Sequence, residues 1–283
     1  MDSDYFSVER PNFSYICAVK KYLKILILML MPFLSFAQES VPWSRIAVAD
    51  AVEIDRLGNI YLVKGNVVSK YDAEMNFLCA YDNYPAGSMS SLDVSNPFKV
   101  IVFYSEFNKL MYLDSKFAEL RSPIMLDDAE LYNTKVVCSS SFGGFWVFDE
   151  QNVCVRRVDS NLEISQQGTN IYDKLGDADV VAMRESINYL FLFADDGKIL
   201  VLDKFGNFYR SLEVGGSCTD FCIDNDVLYY SQNGEVSAYD VVADNTIVIP
   251  TEGKNVTKFR IRHDLLYTLG ENKLECSKIQ VEK

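Results

Sequence analysis

One element recurs through this chain at a nearly constant interval: a short apolar run closed by an aspartate. It stands at Tyr71-Asp72, Leu113-Asp114, Val158-Asp159, Leu202-Asp203 and Tyr239-Asp240, so the aspartates step by 42, 45, 44 and 37 residues. A tight-turn pair precedes each one, at Gly65-Asn66, Phe107-Asn108, Gln151-Asn152, Asp196-Gly197 and Asn233-Gly234, with a sixth at Glu271-Asn272. Asn-Gly and Asp-Gly are strong hairpin signals because the central residues must accept positive φ. One apolar run further back lies a third set of turn residues: Leu57-Gly58-Asn59, Ser95-Asn96-Pro97, Ser139-Ser140-Ser141, Ser186-Ile187-Asn188, Asn225-Asp226 and His263-Asp264.

Between these landmarks lie runs of β-branched and aromatic residues, such as Val100-Ile101-Val102-Phe103 and Tyr189-Leu190-Phe191-Leu192-Phe193, and no stretch holds a helical period. Each unit therefore reads as strand A, turn, strand B, hairpin, strand C, aspartate turn, strand D. Four strands per period, repeated radially, describe a blade, and residues 38–283 hold six units of about 41 residues. The expected fold is all-β: one six-bladed β-propeller domain over 38–283, with four antiparallel strands per blade. The sixth unit supplies only three strands, while Trp43–Val48 is left over before the first. That opening strand is expected to become the fourth of the last blade, which removes an open edge. The second strands are apolar at consecutive positions, as in strands covered on both faces.

Asp55-Arg56-Leu57-Gly58-Asn59-Ile60-Tyr61 resembles the first half of an NHL-type repeat and Asp203-Lys204-Phe205-Gly206-Asn207 its closing half, while the apolar-Asp ending of strand C is similar to the WD dipeptide. The resemblance spans the repeats through short motifs. It implies a propeller and no particular activity.

Before the repeats, Lys20, Lys21 and Lys24 precede the apolar run Ile25–Met31, Pro32 breaks it, and Ser35-Phe36-Ala37 leads into Gln38. This order describes a secretory signal peptide over 1–37 cleaved after Ala37, with 1–19 an extension upstream of the true start. The run is shorter than the roughly 20 residues a membrane span needs, so no stable span is expected after cleavage. The expected location is the periplasm, the outer membrane or the extracellular space, and the junction is similar to those of Bacteroidota exported proteins. Six cysteines follow Ala37 without a CxxC or a compact framework.

Forty acids against 27 bases give a net charge of −13, the wrong sign for nucleic acid, and one histidine rules out a multi-histidine metal centre. There is no G-x-S-x-G, P-loop or G-x-G-x-x-G. The aspartates after strand C are expected to accept backbone N–H groups in Asx turns. Glu53, Asp55, Asp93, Asp179, Asp220 and Asp224 lie near strand A, where a carboxylate set could hold calcium, with Asp55 and Asp220 as the ligands to test. Cys138 and Ser139 in unit three and Lys258 and Arg260 in unit six interrupt that set.

Three long D–A connections, 82–89, 126–132 and 166–172, fall in successive units and carry Tyr84, Asp127, Asp128, Tyr132 and Tyr172. They are expected to form a contact surface for a protein or glycan of the cell envelope, with a basic partner steered by the negative charge. The expected function is thus an exported, non-catalytic binding or scaffolding module without a cofactor. The alternative is a calcium-dependent hydrolase or lyase with a central-channel carboxylate site.

Overall fold

A computed structural model of the chain describes residues 42–83, 87–214, 218–251 and 255–279. The leader expected over 1–37 and its extension 1–19 lie outside the described residues. The described chain forms 24 strands in six four-stranded antiparallel sheets. Blade 1 is β2 (Ala51–Ile54), β3 (Ile60–Lys64), β4 (Val67–Tyr71) and β5 (Phe77–Tyr81). Blade 2 is β6 (Ser91–Asp93), β7 (Val100–Tyr104), β8 (Lys109–Leu113) and β9 (Ile124–Met125). Blade 3 is β10 (Val137–Ser139), β11 (Phe145–Asp149), β12 (Cys154–Val158) and β13 (Ile164–Gln167). Blade 4 is β14 (Val180–Glu185), β15 (Tyr189–Ala194), β16 (Lys198–Asp203) and β17 (Phe208–Glu213). Blade 5 is β18 (Cys218–Asp224), β19 (Val227–Gln232), β20 (Glu235–Asp240) and β21 (Asn245–Ile249). Blade 6 is β22 (Phe259–Arg262), β23 (Leu265–Leu269), β24 (Lys273–Lys278) and the opening strand β1 (Trp43–Ile46).

The fold is therefore the expected six-bladed propeller, closed as expected. β1 pairs antiparallel with β24, Trp43 opposite Cys276 and Ile46 opposite Lys273. Among the described residues the only α-helix is the single turn Tyr172–Leu175, and no helix is long and apolar enough to cross a membrane.

Alternation within the strands explains the ring. In β7 every residue is buried, yet Val100, Val102 and Tyr104 join the apolar cluster shared with blade 1 while Ile101 and Phe103 join the one shared with blade 3. In β15, Leu190, Leu192 and Ala194 face blade 3 and Phe191 and Phe193 face blade 5. Side chains alternate faces at every residue of a strand, so a continuous apolar run makes a sheet with two apolar faces. Six clusters fill the six junctions, and the last joins Leu274 and Cys276 of blade 6 to Val52 and Ile60 of blade 1.

The aspartate turns fix the connection between the third and fourth strands of blades 1 to 5. Asp72, Asp114, Asp159 and Asp203 each accept the N–H groups of the residues two and four positions on through Oδ1, and Asp240 accepts from Val242 and Ala243. In the first four the residue three positions on is left-handed: Met75, Phe117, Leu162 and Gly206. A left-handed conformation is costly for a side chain with a Cβ. Phe117 is held there by burial against Tyr61 and Tyr81 of the preceding blade, and Met75 and Leu162 pack into the equivalent junctions. At Gly206 a Cβ would lie 2.5 Å from Val155 Cγ2, so only glycine fits.

Two outcomes follow. A chain beginning at Ala51 lacks the strand that closes blade 6, and its thermal unfolding, followed by circular dichroism, should broaden and move to lower temperature. Gly206→Ala combines a left-handed φ with a clash and should cost about 2 kcal/mol or more in chemical unfolding.

Candidate functional site

The innermost strands surround the axis: β22 lies beside β2 and β18, and β10 beside β6 and β14. Glu53, Asp55, Asp93, Asp179, Asp220 and Asp224 were the metal candidates of the sequence, and the structure gives most of the acids near these strands, Glu185 and Asp226 included, partners in a neighbouring blade. Asp93 of blade 2 accepts the Ser139 N–H of blade 3 at 2.8 Å and its own Ser95 N–H at 2.8 Å. Glu185 of blade 4 accepts the Ser141 N–H and, at 2.9 Å, the Trp146 Nε1–H of blade 3. Asp226 of blade 5 accepts the Asn188 N–H of blade 4 at 3.0 Å. Asp220 and Asp224 of blade 5 accept the N–H groups of Phe259 and His263 in blade 6 at 2.9 and 2.8 Å. His263 is thus a left-handed turn residue, as its position beside Asp264 suggested. Asp179 is exposed and pairs with Lys135 at 3.4 Å.

At mid-channel, charge replaces apolar packing. Arg260 donates through Nε and Nη2 to Glu53 of blade 1 at 2.8 and 2.6 Å, and through Nη1 to Asp220 at 2.8 Å. Arg184 of blade 4 reaches the same Glu53 at 3.4 Å, so the group spans the axis between opposite blades. The free space around it is a cavity of only about 70 Å³. Burial alone would raise the Glu53 carboxyl, but Arg260 and Arg184 beside it hold it below its ordinary value. Burial likewise opposes the charge of Arg260, and Glu53 and Asp220 overcome it, holding the guanidinium firmly protonated. The two basic residues that seemed to interrupt a carboxylate set now have roles. Arg260 neutralises the set, and Lys258 donates to the Asp50 carbonyl of blade 1.

Asp55 and Asp220 do not share a partner. Asp55 is fully buried and accepts from the N–H groups of Leu57 and Asn59, the Asn59 amide and the Tyr61 hydroxyl, all within 2.9 Å. It is an A–B-turn copy of the aspartate turn, with Gly58 at the left-handed position. At Asp220 the Arg260 guanidinium stands where the calcium reading places a cation. These two side chains as arranged do not fit a calcium ion, and among the described residues no group of three or more His, Cys, Asp or Glu is arranged for a metal. The thiols of the innermost strands are kept protonated, Cys138 well above its ordinary value and Cys222 pushed up to about 12, in both cases by burial.

Of the D–A connections, Tyr84 lies outside the described residues. Asp127 accepts from Asn108 in the B–C hairpin of its own blade at 2.5 Å. Asp128 is exposed, Tyr132 is 65% exposed, and Tyr172 is 52% exposed with its hydroxyl donating to Asp177 at 3.2 Å. Each connection is tied to its own blade's hairpin: Asn66 to Gly87 and Met89, Asn108 to Leu131, and Asn170 to Asn152. On this side the channel opens as a cavity of about 380 Å³.

The opposite mouth, framed by the A–B turns, is wider, at about 590 Å³. Its wall carries Arg56, Lys99, Ser95, Ser139, Glu185 and Arg262. The A–B turns on this face also carry Leu57, Phe98, Phe142 and Ile187, exposed by 59, 58, 62 and 67% and contributed by four successive blades, with Ile187 on the cavity wall. Sequence reasoning treated these triplets only as turns. The available signal was a large apolar residue in four of the six turns, where polar residues are the rule.

A scan against protein-family models finds no match, and a search of curated proteins finds none. Solved structures do match in fold. The Neurospora crassa Pan2 WD40 domain is 12% identical with a TM-score of 0.56, covering 79% of this chain and 72% of that one. A streptogramin B lyase is 11% identical with a TM-score of 0.57, covering 81% and 78%. The virginiamycin B lyase from Staphylococcus aureus is 12% identical with a TM-score of 0.55, covering 86% and 89%. At these identities the likeness establishes the β-propeller fold.

The mid-channel charges predict a defined acid response. The folded-state value of Glu53 is lowered, so the unfolded chain takes up its proton first as pH falls below 4.5. Stability from this group is full above that pH and drains away below it. Glu53→Gln should cost about 3–5 kcal/mol in urea unfolding at neutral pH by leaving Arg260 under-compensated. It should also flatten part of the acid dependence, and Glu53→Met combined with Arg260→Met should restore most of the loss.

Proposed function

We propose that this chain is an exported, non-catalytic binding or scaffolding module of the cell envelope that holds a partner protein on the A–B-turn face of a rigid propeller. The observation that carries this reading is the set of Leu57, Phe98, Phe142 and Ile187, exposed on the A–B turns of four successive blades on the face that holds the larger mouth. Four large apolar side chains, each more than half exposed and carried on the turns of one face, mark an interaction surface better than residues scattered over several faces do. The rigid support beneath them favours the same use. Asp93, Glu185, Asp224 and Asp226 bind the A–B turns of adjacent blades to one another, so the rim is held before a partner arrives.

Two other readings remain as rivals with their own observations. The D–A face offers Tyr132, Tyr172 and Asp128, which suit a basic protein or a glycan. The lyases among the structural neighbours show that the fold also carries catalysis, the ground for a calcium-dependent hydrolase or lyase. In this chain, however, Asp55 and Asp220 are spent on a turn and on Arg260.

Photo-crosslinking distinguishes them. With a crosslinker placed at Phe98 or Phe142 of the full-length protein in its native envelope, a specific partner should be trapped and identified by mass spectrometry. With the crosslinker at Phe142, Phe98→Ser with Ile187→Ser should abolish that adduct while leaving the melting temperature within a few degrees. Crosslinks arising from Tyr132 and Tyr172 instead would transfer the function to the D–A face.

A further inference from the structure

The wider mouth is unlike the rest of this molecule in charge. The chain carries −13 overall, yet three of the four charged side chains on the wall of this cavity are basic: Arg56, Lys99 and Arg262. The fourth, Glu185, has both oxygens taken by Ser141 and Trp146. Asp93 and Asp224, deeper in the channel, also have both oxygens occupied. The basic groups are not matched in this way. Among the described residues Arg56 and Lys99 pair with no carboxylate. Arg262 gives Nη1 to Asp224, while its Nε is buried without a partner.

Lys99 is the most telling of the three. Its Nζ sits 4.0 Å from the centroid of the Tyr112 ring, and the buried Tyr112 hydroxyl has no hydrogen-bond partner. Burial, and after it the nearby Arg121, pushes the Lys99 ammonium below its ordinary value. A half-buried cation beside another cation, with no carboxylate paired to it among the described residues, is costly to maintain. An incoming carboxylate would relieve that cost, and side-chain hydroxyls such as those of Ser95 and Ser139 line the same wall as donors.

We propose that this mouth takes an acidic peptide segment of a partner protein, its carboxylates on Arg56 and Lys99 and a neighbouring large apolar side chain on the Phe98–Ile187 rim. The inference rests on the binding-module reading above and adds the partner's chemistry. Charge complementarity selects the anion, and the apolar rim selects a peptide over a uniformly charged polymer. A cavity of about 590 Å³ lies within the usual range for ligand clefts of about 300–1,000 Å³. Long polyanions would also meet the field of the whole chain, which repels them beyond about a Debye length, whereas a short segment seated in the mouth meets the local cations.

The test is fluorescence anisotropy on the full chain with a short labelled peptide alternating glutamate and leucine. Binding should weaken with salt and fall about tenfold or more in Arg56→Glu and in Lys99→Glu. A matched peptide alternating lysine and leucine should bind at least tenfold more weakly. Equal or tighter binding of the lysine peptide would overturn the proposal, as would tighter binding of a polyuronate than of the glutamate peptide. The rim variant Phe98→Ser with Ile187→Ser separates the two levels. If it weakens binding while both charge reversals do not, the face stands as a binding surface and the acidic partner is refuted. If neither the rim variant nor the charge reversals change binding, both readings fall together.

Discussion

Every sheet in this protein has two apolar faces, and a sheet with two apolar faces needs a neighbour on each side. A row of such sheets cannot end in water without exposing a core, so it bends into a ring. Closure is the constraint on which everything else depends. It is met by one short strand, Trp43–Ile46, laid against Lys273–Cys276, with Trp43 against Tyr267 at a 6.2 Å ring separation. Apolar burial is non-directional and does not by itself set the angle between blades. That angle is set by polar links of fixed geometry, the carboxylates that reach from one blade to the backbone of the next.

Those links explain the acidic character of the chain near its axis. A carboxylate can accept several N–H groups at once, and the turn following an innermost strand presents N–H groups that would otherwise be buried unpaired. Asp93, Glu185, Asp224 and Asp226 satisfy such groups across blade boundaries, while Asp55, Asp72, Asp114, Asp159 and Asp203 satisfy them within turns. The channel that results narrows at its middle beside Glu53, Arg184 and Arg260 and is wider at both ends. The mouth framed by the A–B turns carries three basic side chains, and the turns on that face carry exposed apolar ones.

The aspartate turns were legible in the sequence because their determinants lie within five residues of one another. Asp203-Lys204-Phe205-Gly206-Asn207 contains its own acceptor, donors and left-handed glycine. Phe117 at the equivalent position was not legible, since its unfavourable conformation is offset by Tyr61 and Tyr81, more than 30 residues away. Asp55 and Asp220 looked alike as acids beside strand A, but one closes a turn and the other meets a guanidinium of the next blade. The A–B turns concealed the rim for a related reason. An apolar residue in a turn is ordinary when it folds back onto its own sheet, and only the assembled ring brings Leu57, Phe98, Phe142 and Ile187 to one face.

The sequence by itself determined the number of blades, the order of strands within them and the identity of the closing strand. Those depend on period, alternation and local turn chemistry, which act over a few residues and repeat. Tertiary structure alone decided which charges are spent and which remain available. Asp220 and Asp93 find their partners in the next blade about 40 residues on (Arg260 and Ser139), and Glu53 finds Arg260 across the closing junction and Arg184 across the axis. The electrostatics of a mouth shared by six blades has no counterpart in any one repeat, because Coulomb interaction follows distance in space and not separation along the chain.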